Sequence, residues 1–306
     1  MSDSEAKAET ETRCGFIAII GAPNAGKSTL VNTLVGTKVA IVSRKVQTTR
    51  TTLRGIAIEG SSQLVFIDTP GIFAPRRRLD RAMVEAAWGG AGDADMVLLV
   101  VDAAKGIDED VERIVVKLRG RTPPPLLALN KVDRVRKEQL LELAAQLNAR
   151  VPFAATFMIS ALDGDGVADL KAHLASSAPV GPWHYPPDEV TDAPLRVLAA
   201  EITREKVYDR LHDELPYQIA VETTAWREQG KAVRIEQTVF VERDSQKSIV
   251  LGKGGSMIKQ LSMDARKEIA DTIGRPVHLF LFVKVREGWG DDPARYRDLG
   301  LTFPKE

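Results

Sequence analysis

Eight consecutive residues, Gly21-Ala22-Pro23-Asn24-Ala25-Gly26-Lys27-Ser28, combine the residue types needed to hold a chain of phosphates. Gly21 and Gly26 let the backbone curl so that its N–H groups point inward at phosphate oxygens. Lys27 places a charge on the terminal phosphates, and the Ser28 hydroxyl can ligate Mg²⁺. The flanks suit this chemistry. An apolar run, Phe16-Ile17-Ala18-Ile19-Ile20, reads as a strand, and Thr29-Leu30-Val31-Asn32-Thr33-Leu34 opens a helix. The helix adds its own N–H groups, from Thr29 on, and the positive end of its dipole.

Three further groups complete a nucleotide site. Asp68-Thr69-Pro70-Gly71 ends an apolar strand, where Asp68 is placed to hold Mg²⁺ and the Gly71 N–H to meet a terminal phosphate. Asn130-Lys131-Val132-Asp133 ends another. The Asp133 carboxylate can accept from both N1–H and N2–H₂ of guanine, a pair of donors that adenine lacks. Asn130 and Lys131 can brace that loop and cover the base. Backbone N–H groups of Ser160-Ala161-Leu162 complete the set, within reach of guanine O6. The ligand implied is GTP or GDP with Mg²⁺.

Positioning these groups calls for a layered α/β fold. Apolar strands at residues 63–67, 96–101, 126–129 and 156–159 alternate with helical patterns such as 138–148 and 167–176, and residues 52–59 alternate as a further strand. The expected fold is a doubly wound, mainly parallel sheet, with every motif at the carboxyl end of a strand. Residues 43–52 are polar and read as a mobile loop. Residues 72–81, with Arg76, Arg77, Arg78 and Arg81, read as a basic loop that moves with nucleotide and meets RNA.

The chain of 306 residues is long enough for two cores. Its 42 basic and 42 acidic residues cancel, so any nucleic-acid surface must be a local patch. Cys14 is the only cysteine, which excludes a disulfide within the chain and fits a reducing cytoplasm. The acidic start of the chain does not resemble a secretory signal, and no apolar run reaches the length of a membrane span. The expected division is a flexible tail (1–13), a nucleotide domain (14–178), a linker (179–194) and a second domain (195–306). The linker assignment rests on five prolines, Pro179, Pro182, Pro186, Pro187 and Pro194.

In the second domain, a helix at 195–211 precedes strands at 218–223 and 233–241. Gly252-Lys253-Gly254-Gly255 then separates two helical patterns, and a strand follows at 277–285. That is the G-x-x-G loop of a smaller α+β KH domain, where bare backbone approaches an RNA phosphate and Lys253 supplies charge. From Arg243 to Lys267, six basic residues, Lys259 among them, face two acids, 6 − 2 = +4.

The first half resembles translation-factor-class GTPases with a P-loop, and residues 14–303 together resemble the Era family of ribosome-assembly GTPases. Besides the motifs above, the resemblance rests on Gln47-Thr48-Thr49-Arg50, Pro276-Val277-His278-Leu279 and Gly288-Trp289. It implies slow GTP hydrolysis with Lys27, Asn24, Thr49 and Gly71 at the reacting phosphate. It also implies Mg²⁺ held by Ser28, Asp68 and a threonine of the 47–50 loop, assigned here to Thr49 with its neighbour left open. The implied partners are small-subunit rRNA, held through Gly252, Lys253, Gly254, Gly255 and Lys259, and the small ribosomal subunit. The implied setting is a cytoplasmic monomer with peripheral contact at the inner membrane. Many GTPases place a water-orienting glutamine directly after D-x-x-G. Here Ile72 stands there, as an apolar residue does across the family. Asn24 resembles the asparagine of potassium-activated GTPases, which makes K⁺ an expected cofactor. Two alternatives are an RNA-binding module with a structural nucleotide and a tRNA-modification GTPase. The second needs a reactive cysteine near the C-terminus, and this chain has only Cys14.

Overall fold

A computed structural model describes residues 11–43, 49, 53–75, 77–211, 219–288, 293, 296 and 301–304. In chain order the first elements are β1 (Arg13–Ile20), α1 (Lys27–Val35), β2 (Leu53–Glu59), β3 (Ser62–Asp68), α2 (Arg78–Asp93), β4 (Met96–Asp102), α3 (Glu109–Leu118), β5 (Leu126–Asn130), α4 (Lys137–Arg150), β6 (Thr156–Ile159) and α5 (Val167–Ser177). The six strands form one sheet in the order β2-β3-β1-β4-β5-β6, parallel except for β2 at its edge.

The continuous apolar runs are explained by burial on both faces. Along β1, Ile17 and Ile19 pack toward α1 and α5, while Ala18 and Ile20 join the core beneath α2, α3 and α4. Helix α3 shows the local rules at work. Asp108 caps it by accepting from the Val111 N–H at 2.9 Å, acids fill its first turn, and Lys117 sits in its last.

Residues 179–194 lie along the first sheet. The Cys14 N–H donates to the Pro179 carbonyl at 3.0 Å, and the Ile56 N–H to the Val190 carbonyl at 2.8 Å. Arg54 Nη1 adds an ion pair to Asp192 Oδ2 at 2.7 Å.

The remaining elements are α6 (Leu195–Arg210), β7 (Ala220–Gln229), β8 (Ala232–Val241), α7 (Asp244–Leu251), α8 (Ser256–Ile273) and β9 (Val277–Val285). They make a three-stranded sheet, β7-β8-β9, with β8 and β9 parallel and joined through α7 and α8. Their apolar faces share two clusters. One joins α6 and α8 to Val233, Ile235, Val277 and Leu279, and the other joins α7 and α8 to Val239 and Val241.

Two expectations are corrected. Residues 72–81 are not one loop: Ile72 is core, and α2 begins at Arg78 under a box in which the Arg77 N–H donates to Asp80 Oδ2 at 2.9 Å. Strand β7 continues to Gln229, past a bulge between Thr223 and Ala225 that breaks the alternation in the sequence. Arg44, Lys45, Gln47, Thr48, Arg50, Arg76 and Trp289 lie outside the described residues.

Candidate functional site

The phosphate loop runs from the end of β1 into α1. Gly26 holds a left-handed conformation (φ 97°) as the residue before the helix, and a Cβ there would stand 2.2 Å from Asn130 Nδ2. Glycine is therefore required twice, by dihedral and by space. Gly71 is also crowded, though less tightly: a Cβ would meet the Pro23 Cα at 3.0 Å. The Ile72 N–H donates to the Gly21 carbonyl at 3.1 Å, which ties this segment to the phosphate loop.

Lys27 is 6% exposed, and its Nζ donates to the carbonyls of Gly21 (3.1 Å) and Ala22 (3.0 Å). Burial lowers its pKa to about 8, against the pull of the Asp68 charge. The structure brings Ser28, Thr49 and Asp68 together. The Ser28 Oγ donates to Asp68 Oδ2 at 2.8 Å and lies 3.0 Å from Thr49 Oγ1. Burial raises Asp68 to about 6, opposed by the Ser28 hydrogen bond, the Lys27 charge and the Thr49 hydrogen bond. Its Oδ1 is buried without a hydrogen-bond partner. Two hydroxyls and a carboxylate with an oxygen to spare are the hard oxygen donors that Mg²⁺ takes, so the residues present fit that ion.

Asn130 does more than brace its own loop. Its Nδ2 donates to the Ala25 carbonyl (2.8 Å), and its Oδ1 accepts from the N–H groups of Lys131 (2.8 Å) and Ala161 (2.9 Å). One buried amide thus links the phosphate loop, the Asn130–Asp133 turn and the Ser160–Leu162 loop. Lys131, with φ 67°, reaches back to the Asn24 carbonyl (2.7 Å) and to Asp102 Oδ2 (2.6 Å). The Asp133 carboxylate is partly exposed beside Arg134 Nε, 3.4 Å away. Ser160 Oγ donates to Asp163 Oδ2 at 3.0 Å, and Thr33 Oγ1 holds the Ala161 carbonyl at 2.6 Å.

These groups surround a cleft of about 1020 Å³. Its walls include Pro23, Asn24, Gly26, Lys27, Ser28, Thr29, Thr49, Gly71, Asn130, Lys131, Asp133, Ser160, Ala161 and Leu162. Gly21, Ala22, Ala25 and Asp68 are not on that wall, though Asp68 touches it through Ser28 and Thr49.

Sequence reasoning missed Asp102, which anchors Lys131; its place at the end of β4, beside the other motif-bearing strand ends, was the available signal. It also missed Asp209, a wall residue contributed by α6 that accepts from Ser43 Oγ at 3.1 Å. Nearby, Glu205 of α6 accepts from the Val42 N–H (2.8 Å) and from Lys38 Nζ (2.5 Å), and Lys38 also pairs with Glu268 of α8. No local pattern announces contacts across so many residues.

The second candidate site is the turn between α7 and α8. Gly252 (φ 71°) is obligatory, because a Cβ would come 2.6 Å from the Met257 Cβ. Gly254 (φ 59°) faces open space, and Lys253, Gly254 and Lys259 are exposed. Backbone is therefore bare where a phosphate could approach, next to two lysines. Arg210 of α6 pairs with Asp264, offsetting one of the two acids of the patch.

Comparison with known proteins agrees with this geometry. Residues 16–131 match the family model of the 50S ribosome-binding GTPases, and residues 214–290 match that of the KH domain. The chain is 64% identical over 296 residues to the GTPase Era of Afipia carboxidovorans, covering 96% of each chain. It is 61% identical over 305 residues to that of Bradyrhizobium diazoefficiens, covering 99% of each. Among solved structures, an Era in complex with MgGDPNP and nucleotides 1506–1542 of 16S ribosomal RNA superposes with a TM-score of 0.89 at 36% identity, over 94% of this chain and 99% of that one. A point variant of Aquifex aeolicus Era bound to GDP and aluminium fluoride superposes with the same score, identity and coverage. With this identity over nearly its whole length, the chain belongs to the Era family of GTPases.

Proposed function

We infer that this chain is a Mg²⁺-dependent GTPase that binds the 3′ region of small-subunit rRNA through residues 195–306 and assists maturation of the small ribosomal subunit. The observation that carries the reading is the Asn130 amide. It joins phosphate loop and base loops around a cleft whose remaining walls carry Lys27, Ser28 and Asp133. Lys27 is assigned to the terminal phosphates, Asp133 to the guanine edge, and the Gly71 N–H to the γ-phosphate. Ser28, Thr49 and Asp68 would hold Mg²⁺, which neutralises charge between the phosphates. The side chain of Ile72 points into core, so it cannot orient water. We assign slow intrinsic turnover to that absence and propose that Asn24 holds K⁺ as the compensating charge. Hydrolysis in K⁺ against Na⁺ at matched ionic strength tests this; equal rates reject it.

For RNA, the exposed Lys253-Gly254 turn supports phosphate contact, and the match of an RNA-bound Era structure to 94% of this chain supports the partner. The division into 14–178, a 179–194 linker and 195–306 is part of this reading, as are monomeric state and a cytoplasmic setting. Among the described residues no helix is long and apolar enough to cross a membrane. Peripheral membrane contact is tested by co-sedimentation with anionic vesicles. The central experiment measures GTP and GDP affinity with and without a 3′ small-subunit rRNA fragment, then phosphate release. Gly254→Asp should abolish RNA binding and leave GTP affinity in its absence unchanged. Unaltered RNA binding by that variant would remove the groove assignment.

A further inference from the structure

Two residues other than glycine hold left-handed backbone among the described residues, Asn24 (φ 62°) and Lys131 (φ 67°). A residue with a Cβ resists that conformation, a lysine more than an asparagine, so the surroundings must hold it there. The two are partners. From its turn after β5, Lys131 donates through Nζ to the Asn24 carbonyl at 2.7 Å. The same Nζ donates to Asp102 Oδ2 at 2.6 Å. Asp102 is itself fixed. It ends β4 in register with Asn130, and its Oδ1 accepts from the Ala104 N–H at 3.0 Å. Its backbone carbonyl accepts from the N–H groups of Lys105 and Gly106, each at 3.0 Å, and the Ala103 N–H donates to the Asn130 carbonyl at 2.9 Å. Asp102 is 8% exposed and stands behind the cleft wall, whereas Asn24 and Lys131 are part of it.

We propose that Asp102 is a positioning residue for guanine nucleotide. Its carboxylate holds Lys131 across the cleft, and through Lys131 the left-handed backbone of Asn24, and so sets how long the nucleotide stays. The inference rests on the guanine-nucleotide reading above and deepens it. A lysine ammonium on a flexible four-carbon stem has no preferred direction of its own. A neutral carbonyl directs it weakly. A carboxylate 2.6 Å away, pinned by its own turn, fixes the direction, because a charge-assisted hydrogen bond is about twice as strong as a neutral one. The stem is thereby stretched from the Asn130–Asp133 turn to the phosphate loop and closes one side of the cleft between them. Loss of the carboxylate loosens the ammonium, the two left-handed residues and that wall together. Neither Asp102 nor Lys131 is assigned to the terminal phosphate, so the loss falls on retention of nucleotide more than on its hydrolysis.

The experiment follows release of a fluorescent GDP from the full chain, chased with excess unlabelled GDP in the presence of Mg²⁺. Asp102→Asn keeps the volume and an oxygen for the Ala104 N–H but removes the charge facing Lys131. It should speed release about tenfold to a hundredfold, the contribution of one hydrogen bond to a charged group, and slow single-turnover hydrolysis far less. Lys131→Met should speed release at least as much. In the Lys131→Met background, Asp102→Asn should then change release by no more than about twofold. If the two effects multiply in full, Asp102 acts through the fold rather than through Lys131, and the proposal is overturned. Wild-type release from either single variant overturns it as well. Urea unfolding checks that the variants fold; Asp102→Ser, which can still accept from the turn, takes the place of an unfolded Asp102→Asn with the same expected outcomes. Wild type that retains fluorescent ADP as long as GDP would instead overturn the guanine reading. Release that Asp102→Asn still speeds, and only with Lys131 present, supports the positioning role even then.

Discussion

Ile72→Gln restores, on paper, the glutamine that many GTPases use to orient the attacking water. The structure predicts that it does not restore catalysis. Ile72 is 3% exposed and belongs to the core that includes Ala22, Ile67 and Ala87. Full burial of such a side chain contributes about 2–3 kcal/mol. The substituted amide would sit among apolar groups, and a buried polar group without partners costs about 1–3 kcal/mol more. The sum, about 3–6 kcal/mol, compares with a typical total stability of about 5–15 kcal/mol. Urea unfolding should show a lower midpoint at unchanged slope, and single-turnover phosphate release should not accelerate. A variant with tenfold faster hydrolysis and stability within about 0.5 kcal/mol of wild type would refute the reasoning, since it would place residue 72 at the reacting phosphate.

Asp133→Asn should weaken GTP binding by several kcal/mol and shift preference toward xanthine nucleotide; competition among GTP, XTP and ATP reads both, and equal ATP and GTP binding by wild type would overturn the assignment. Lys27→Ala should remove most triphosphate affinity or turnover, from an intrinsic rate on the order of 10⁻⁴ to 10⁻² s⁻¹; near-normal phosphate release refutes its role. In the nucleotide-free protein Asp68 and Lys27 should together contribute least to stability near neutral pH. Asp68, raised from 3.8 to about 6, keeps its proton longer when folded, so its contribution falls as pH rises between those values, by about 3 kcal/mol. Lys27, lowered from 10.5 to about 8, gives up its proton earlier when folded, so stability returns as pH rises from 8 to 10.5. Denaturation midpoints across pH 4–10, with no Mg²⁺ or nucleotide, test this; a flat profile rejects it.

The nucleotide half was legible because its chemistry is local. Glycine, lysine and acid spacings at the ends of apolar strands read directly as Gly26, Lys27, Asp68 and Asp133, and strand periodicity placed them on one sheet edge. What escaped the sequence was long-range. Asn130 could be assigned to its own turn, but its reach to Ala25 and Ala161 depends on how neighbouring strands are ordered. Helix α2 was obscured because four arginines within six residues look like solvated loop, whereas Arg78 lies over Phe303 and the next turn buries Ala82 and Met83 beside Tyr296. Strand β7 was cut short by its bulge. The exposed Phe280 and Phe282 of β9 were hidden in a run that reads as uniformly apolar; only the pleat separates Leu279 from Phe280.

Helix α8 behaves mechanically as a rod. It starts at the Gly252–Gly255 turn, and thirteen residues later Glu268 grips Lys38, just past the helix that carries the phosphate loop. At 1.5 Å per residue the grip and the turn are about 20 Å apart. A tilt of about 10° around Glu268 would sweep the turn through roughly 3.5 Å, more than the length of a hydrogen bond. The same tilt would shift Leu261, which is fully buried, by roughly 1.8 Å, so the core around Leu261 and Ala265 resists it and keeps the bare backbone at Gly254 at a fixed distance from the grip.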